Sequence, residues 1–177
     1  MTDVKPARYV IAGAGAIGAS AAALLTCAGA NVICVARPAS ADVLRSGIRV
    51  KMDGYEHEVT LPAVEAVSRL EPLAEDVLIV TTKSQDTEKI VDELSSLYDA
   101  RSVPIVSLQN GVANEAIIAA RFQRVYAGLV FFSATQVNPR LILVPPGRHL
   151  AFGLYPSGVD ELAEAIAADF SRAGFDS

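Results

Sequence analysis

Residues 8–37 read RYVIAGAGAIGASAAALLTCAGANVICVAR. Two apolar runs, 8–13 and 31–36, have the continuous hydrophobicity of strands buried on both faces. Between them, residues 16–29 carry a helical pattern. Ile17, Ala21, Leu24, Leu25 and Ala28 fall on one face, and Gly29 is placed to end the helix. Strand, glycine turn, helix and strand together make a βαβ unit of a parallel sheet.

The turn GAGAIG, residues 13–18, fits the spacing G-x-G-x-x-G. Glycines also serve ordinary turns, so the spacing alone is a weak signal. Its place after a buried strand and at the start of a helix is the one that dinucleotide binding requires. Gly13 permits the tight turn, Gly15 lets backbone approach a pyrophosphate, and Gly18 lets helix and strand pack closely. The backbone of Gly13, Ala14, Gly15, Ala16, Ile17 and Gly18, with the positive end of the helix dipole, suits two phosphates. The alternative is a strand–helix loop that holds no ligand.

Chains that bind NAD commonly place an acid after the second strand, where it accepts hydrogen bonds from the adenosine ribose. Here the residue is Arg37, 19 positions after Gly18, and no Asp or Glu occurs between Asp3 and Asp42. A guanidinium is permanently charged and pairs with phosphate through a planar fork. The expected cofactor is therefore NADP(H), with Arg37 on the 2′-phosphate. Arg45 is a weaker second candidate, expected to be a helix-surface cation.

The rest of the chain extends the pattern. Residues 76–82, 103–110, 124–137, 140–145 and 149–155 read as strands. Residues from about 85 to 98, 113–122 and 159–174 read as helices. Alternating residues around Asp53-Gly54 predict an antiparallel hairpin. The fold class is α/β: a Rossmann-type, doubly wound parallel sheet with an antiparallel extension from the late strands. Two polar clusters lie just past strand ends, where ligands gather in such sheets: TTKSQDT (81–87) and LQNGVANEA (108–116). They supply Lys83 and Asn110 as candidates for the reacting end of the site. Glu115 is expected in the first turn of its helix, where a carboxylate is favoured.

The composition narrows the partners. The net charge is -5 with no basic run, which argues against a nucleic-acid surface. No apolar run nears the ~20 residues of a membrane span, and the first residues lack a signal-peptide core. Cys27 and Cys34 form neither a disulfide framework nor a zinc ligand set, and both are expected as buried thiols in a cytoplasmic protein.

GAGAIG, Arg37, TTKSQDT and LQNGVANE occur in the order found in ketopantoate reductases (2-dehydropantoate 2-reductases), and the chain resembles that family over nearly its whole length. Residues VFFSATQVNPRLILVPPGRHLAFG (130–153) add to the resemblance, whereas Ala113 and Ala116 depart from it. The resemblance implies NADPH-dependent reduction of 2-dehydropantoate to pantoate in pantothenate synthesis. It assigns Gly13, Gly15 and Gly18 to the pyrophosphate, Arg37 to the 2′-phosphate, Lys83 to the nicotinamide end, and Asn110 to cofactor and substrate.

It also implies a second, helical domain carrying the general-acid lysine. The last lysine here is Lys89, so no catalytic acid is assigned within these residues. The expectation is that 1–177 is the NADP-binding domain, with 159–177 its closing helix and the start of a linker. Such a domain binds NADPH and reduces a small 2-oxo acid poorly or not at all. Residues around VFFSATQ and the final helix are expected to face the missing domain and to favour a homodimer. Two other readings are a reductase of a different 2-oxo acid and a non-catalytic NADP(H)-binding module.

Overall fold

The computed structural model describes residues 6–177. The first unit is β1 (Arg8–Ala12), α1 (Ala16–Cys27) and β2 (Val32–Val35), followed by α2 (Pro38–Ser46). Then come β3 (Ile48–Met52), β4 (Tyr55–Val59), β5 (Ala63–Val64), β6 (Asp76–Val80), α3 (Thr87–Leu97), β7 (Pro104–Ser107) and α4 (Asn114–Ala119). The chain continues through β8 (Arg124–Phe131), β9 (Thr135–Asn138), β10 (Leu141–Val144) and β11 (His149–Leu154) to α5 (Glu161–Arg172).

The main sheet has seven strands in the order β5-β2-β1-β6-β7-β8-β11. The first six are parallel, and β11 runs antiparallel to β8. Strand order reverses between β1 and β6, so the crevice beyond their carboxyl ends is where a dinucleotide fits a doubly wound sheet. Alternate residues of β1 serve opposite faces. Tyr9 and Ile11 pack with α1 and α5, and Val10 and Ala12 pack with Val91, Leu94 and Phe122 of the other layer. That is why β1 and β6 lack polar alternation.

A second sheet, ordered β4-β3-β10-β9, covers α1. Its hairpin turns at Asp53 and Gly54, with φ of 51° and 82°, the left-handed pair that suits a two-residue turn. Ile48, Val50, Ile142 and Val144 point into the core shared with α1.

Here the late strands differ from expectation. Residues 124–137 form two strands, β8 and β9, separated by Phe132–Ala134. Phe132 turns inward onto Phe175, with ring centroids 5.1 Å apart, and β9 leaves for the second sheet. β10 lies beside β3, parallel to it. The antiparallel extension of the main sheet is therefore β11 alone.

The closing helix is part of the core. Leu162, Ala163, Ile166 and Phe170 are buried, the Asp160 carboxylate caps the helix by accepting from Ala163 N–H at 2.9 Å, and Tyr9 Oη donates to Asp169 at 2.7 Å. Its apolar face is spent on the sheet, whereas Leu129 and Phe131 of β8 are exposed. Cys34 is buried as expected, but Cys27 is exposed. Leu24 and Leu25 take the inner face of the last turn of α1, which leaves Cys27 outside.

Candidate dinucleotide site

The glycine turn leaves β1 at a point pressed against the end of β6. Gly13 has φ of 101°, and a Cβ there would lie 2.6 Å from the Thr82 methyl and 2.7 Å from the Thr82 nitrogen. Thr81 Oγ1 donates to the Gly13 carbonyl at 2.8 Å. A Cβ on Gly18 would strike that same hydroxyl and sit 2.8 Å from the Gly13 oxygen. Two of the three glycines thus allow close packing between the turn, α1 and the end of β6.

Gly15 differs: nothing lies within 4 Å of where its Cβ would be. It is the N-cap of α1, with no side-chain cap and no acid in the first turn. Among the described residues the N–H groups of Ala16, Ile17 and Gly18 have no acceptor. An open backbone and uncapped amides at the positive end of a 12-residue helix make an anion cradle. Ala14 also borders an apolar groove of about 450 Å³ that runs past Val43 of α2 to Gln136 and Ile142 of the second sheet.

Arg37 and Arg45 separate clearly. Arg37 is exposed at the N-cap of α2, two residues past the end of β2, and its guanidinium has no ion-pair or hydrogen-bonding partner among the described residues. Arg45 is committed: it pairs with Asp42 at 2.5 Å and Glu65 at 3.2 Å and donates to the Ala63 carbonyl at 2.8 Å. Its guanidinium is a brace between α2 and β5. Of the two, Arg37 is the one whose guanidinium has no partner among the described residues.

Lys83 and Asn110 are both exposed, past β6 and β7 respectively. Lys83 precedes a one-turn 3-10 helix, Ser84–Asp86. Their loops are joined: Ser84 Oγ donates to the Asn110 carbonyl at 3.3 Å. Glu115 lies in the first turn of α4, as expected, and is buried.

Behind them lies a set of polar side chains with no motif of their own. Gln109 Nε2 donates to the Thr82 carbonyl and to Thr87 Oγ1, each at 2.8 Å. Thr87 Oγ1 donates to Asn114 Oδ1 at 3.1 Å, and Asn114 Nδ2 donates to the Asn110 carbonyl at 3.0 Å. The available sequence signal was the density of Thr, Gln and Asn in TTKSQDT and LQNGVANEA.

The arrangement offers a phosphate cradle, a free cation at the end of β2, and a lysine and an asparagine past the neighbouring strand ends. It can hold and orient an anionic dinucleotide across the switch point. Among the described residues no cluster of His, Cys, Asp and Glu could hold a metal ion, and no helix is long and apolar enough to cross a membrane.

Known proteins resemble this chain in sequence and in fold. A 2-dehydropantoate 2-reductase from Archaeoglobus fulgidus is 36% identical over 167 residues, covering 94% of this chain and 54% of that protein. One from Pyrococcus horikoshii is 30% identical, covering 96% of this chain and 54% of its own length. The crystal structure of a PanE/ApbA family ketopantoate reductase from Ralstonia eutropha superposes with a TM-score of 0.80 at 27% identity, covering 95% of this chain and 54% of that one. The chain thus spans about half the length of the curated relatives it matches. The sequence pattern described as Ketopantoate reductase PanE/ApbA matches residues 9–156, and the chain belongs to that family.

Proposed function

We propose that these residues form the NADPH-binding half of a reductase of 2-oxo acids, with 2-dehydropantoate as substrate and pantoate as product. The observation that carries this reading is the pairing of the open cradle at Gly15 with the Arg37 guanidinium, which has no partner among the described residues. The backbone of residues 13–18 holds the pyrophosphate, and Arg37 neutralises the 2′-phosphate. Lys83 and Asn110 contact the nicotinamide end and orient the substrate. When bound, the nicotinamide supplies a hydride to the ketone carbon.

The relatives named for the reaction are nearly twice as long as this chain. We assign the general acid to a segment outside residues 1–177, and we expect this chain to bind NADPH but turn over 2-oxo acids poorly. The composition and the cofactor suit the cytoplasm. Leu129 and Phe131 of β8, 55% and 65% exposed, are the surface through which self-association is expected, and sedimentation of the pure chain measures it.

Calorimetric titration with NADPH and NADH tests the reading. NADPH should bind at least about tenfold more tightly. Tighter binding of NADH would reject the assignment of Arg37.

A further inference from the structure

Gln109 is 93% buried between the two loops that carry Lys83 and Asn110, with 7% of its surface exposed. Its Oε1 is buried without a partner. The amide cannot simply be turned round. Its other end faces the Thr82 carbonyl, which only accepts, so the NH₂ group must point there. An orphaned buried acceptor costs free energy, and an apolar side chain of similar volume would avoid that cost. What such a side chain would lose is the pair of donors.

Those donors begin a continuous relay. From Gln109 it passes through the fully buried Thr87 hydroxyl to Asn114, which is 1% exposed, and ends on the Asn110 carbonyl. The Thr82 carbonyl, one residue before Lys83, is held at the other end. Every donor along the path meets an acceptor. The backbones at 82 and 110 are therefore tied through the protein interior, independently of any ligand.

We propose that Gln109 is a positioning residue: its carboxamide sets the spacing between the Lys83 and Asn110 loops, so the nicotinamide end of the site is ordered before cofactor arrives. This rests on the cofactor reading above. Binding of the nicotinamide half then loses less conformational freedom than it would against loose loops. The adenosine half, held by residues 13–18 and Arg37, does not use the relay.

The test compares NADPH with 2′-phospho-ADP-ribose, which lacks the nicotinamide. Gln109→Met and Thr87→Val break the relay at different points, and Thr87→Ser keeps the hydroxyl. Gln109→Met and Thr87→Val should weaken NADPH binding about five- to tenfold, leave 2′-phospho-ADP-ribose within about twofold, and Thr87→Ser should resemble wild type. Equal weakening of both ligands, or of neither, would overturn the proposal while leaving the cofactor reading intact. Failure of the wild-type chain to bind either ligand would overturn both.

Discussion

The hydroxyl of Thr81, 2.8 Å from the Gly13 carbonyl, stands where a side chain on Gly18 would have to go. The glycine turn is thus shaped from behind by the end of β6. Gly18→Ala should destabilise the chain by about 1–3 kcal/mol through overpacking. Adding Thr81→Ala should recover part of that loss, because one of the two close contacts is then gone. Urea melts of the two single variants and the double variant measure the coupling, and strict additivity would mean that the contact is not the cause.

Arg37 and Arg45 should respond in opposite ways. Arg37→Ala should weaken NADPH binding by about ten- to a hundredfold, the value of lost charge-assisted hydrogen bonds, and leave NADH binding nearly unchanged. Arg45→Ala removes a brace to Asp42, Glu65 and the Ala63 carbonyl, so it should lower the Tm and leave the preference between cofactors as it was. Parallel titrations and melts of both variants separate the two roles.

Asp76 opens β6 at the end of the sheet away from the glycine turn. Its fully buried carboxylate accepts from Arg8 Nε and Nη2, from Tyr98 Oη and from Leu73 N–H, at 2.8 to 2.9 Å. The carboxylate beside it raises the Arg8 pKa, chiefly through this hydrogen bonding. Asp76→Ala leaves the Tyr98 hydroxyl and the Leu73 N–H unmatched and the Arg8 guanidinium without its charge partner. The expected cost is about 3–5 kcal/mol of stability, read as a lower denaturant midpoint, with cofactor preference unaltered.

The chain should lose stability in alkali. Burial pushes the Cys34 thiol up to about 12 and raises the Tyr9 hydroxyl. Burial also raises Tyr98, with its hydrogen bond to Asp76 adding to the effect. In each case the folded state favours the neutral form. The unfolded chain releases these protons from about pH 8.5 upward, while the folded chain keeps them. Stability is therefore complete below about pH 8 and falls as pH rises through the unfolded values toward the folded ones. Tm against pH should slope downward between about pH 9 and 11, and Cys34→Ala should flatten the first part of that slope. An unchanged slope in the variant would remove Cys34 from the account.

The first βαβ unit and its glycine turn were legible because their signals are local. The apolar run before Gly13, the three glycine spacings and Arg37 all lie within 30 consecutive residues and report backbone geometry and charge directly. Asp53-Gly54 announced its hairpin for the same reason. The strand pattern at 124–137 was less informative. Its alternation is equally good for one strand or two, and nothing in it says that Phe132 turns inward and sends β9 to another sheet.

Residues close in the chain thus carried the strand–turn–helix unit, the glycine turn and the place of Arg37 past β2, since torsion preferences and apolar periodicity act over a few positions. Packing between distant segments settled the rest. Arg45 was claimed by Glu65, Asp169 by Tyr9, and Gln109 by Thr82 and Thr87, across separations of 20 to 160 residues. Such bonds depend on strand register and helix placement, which exist only once the core has closed.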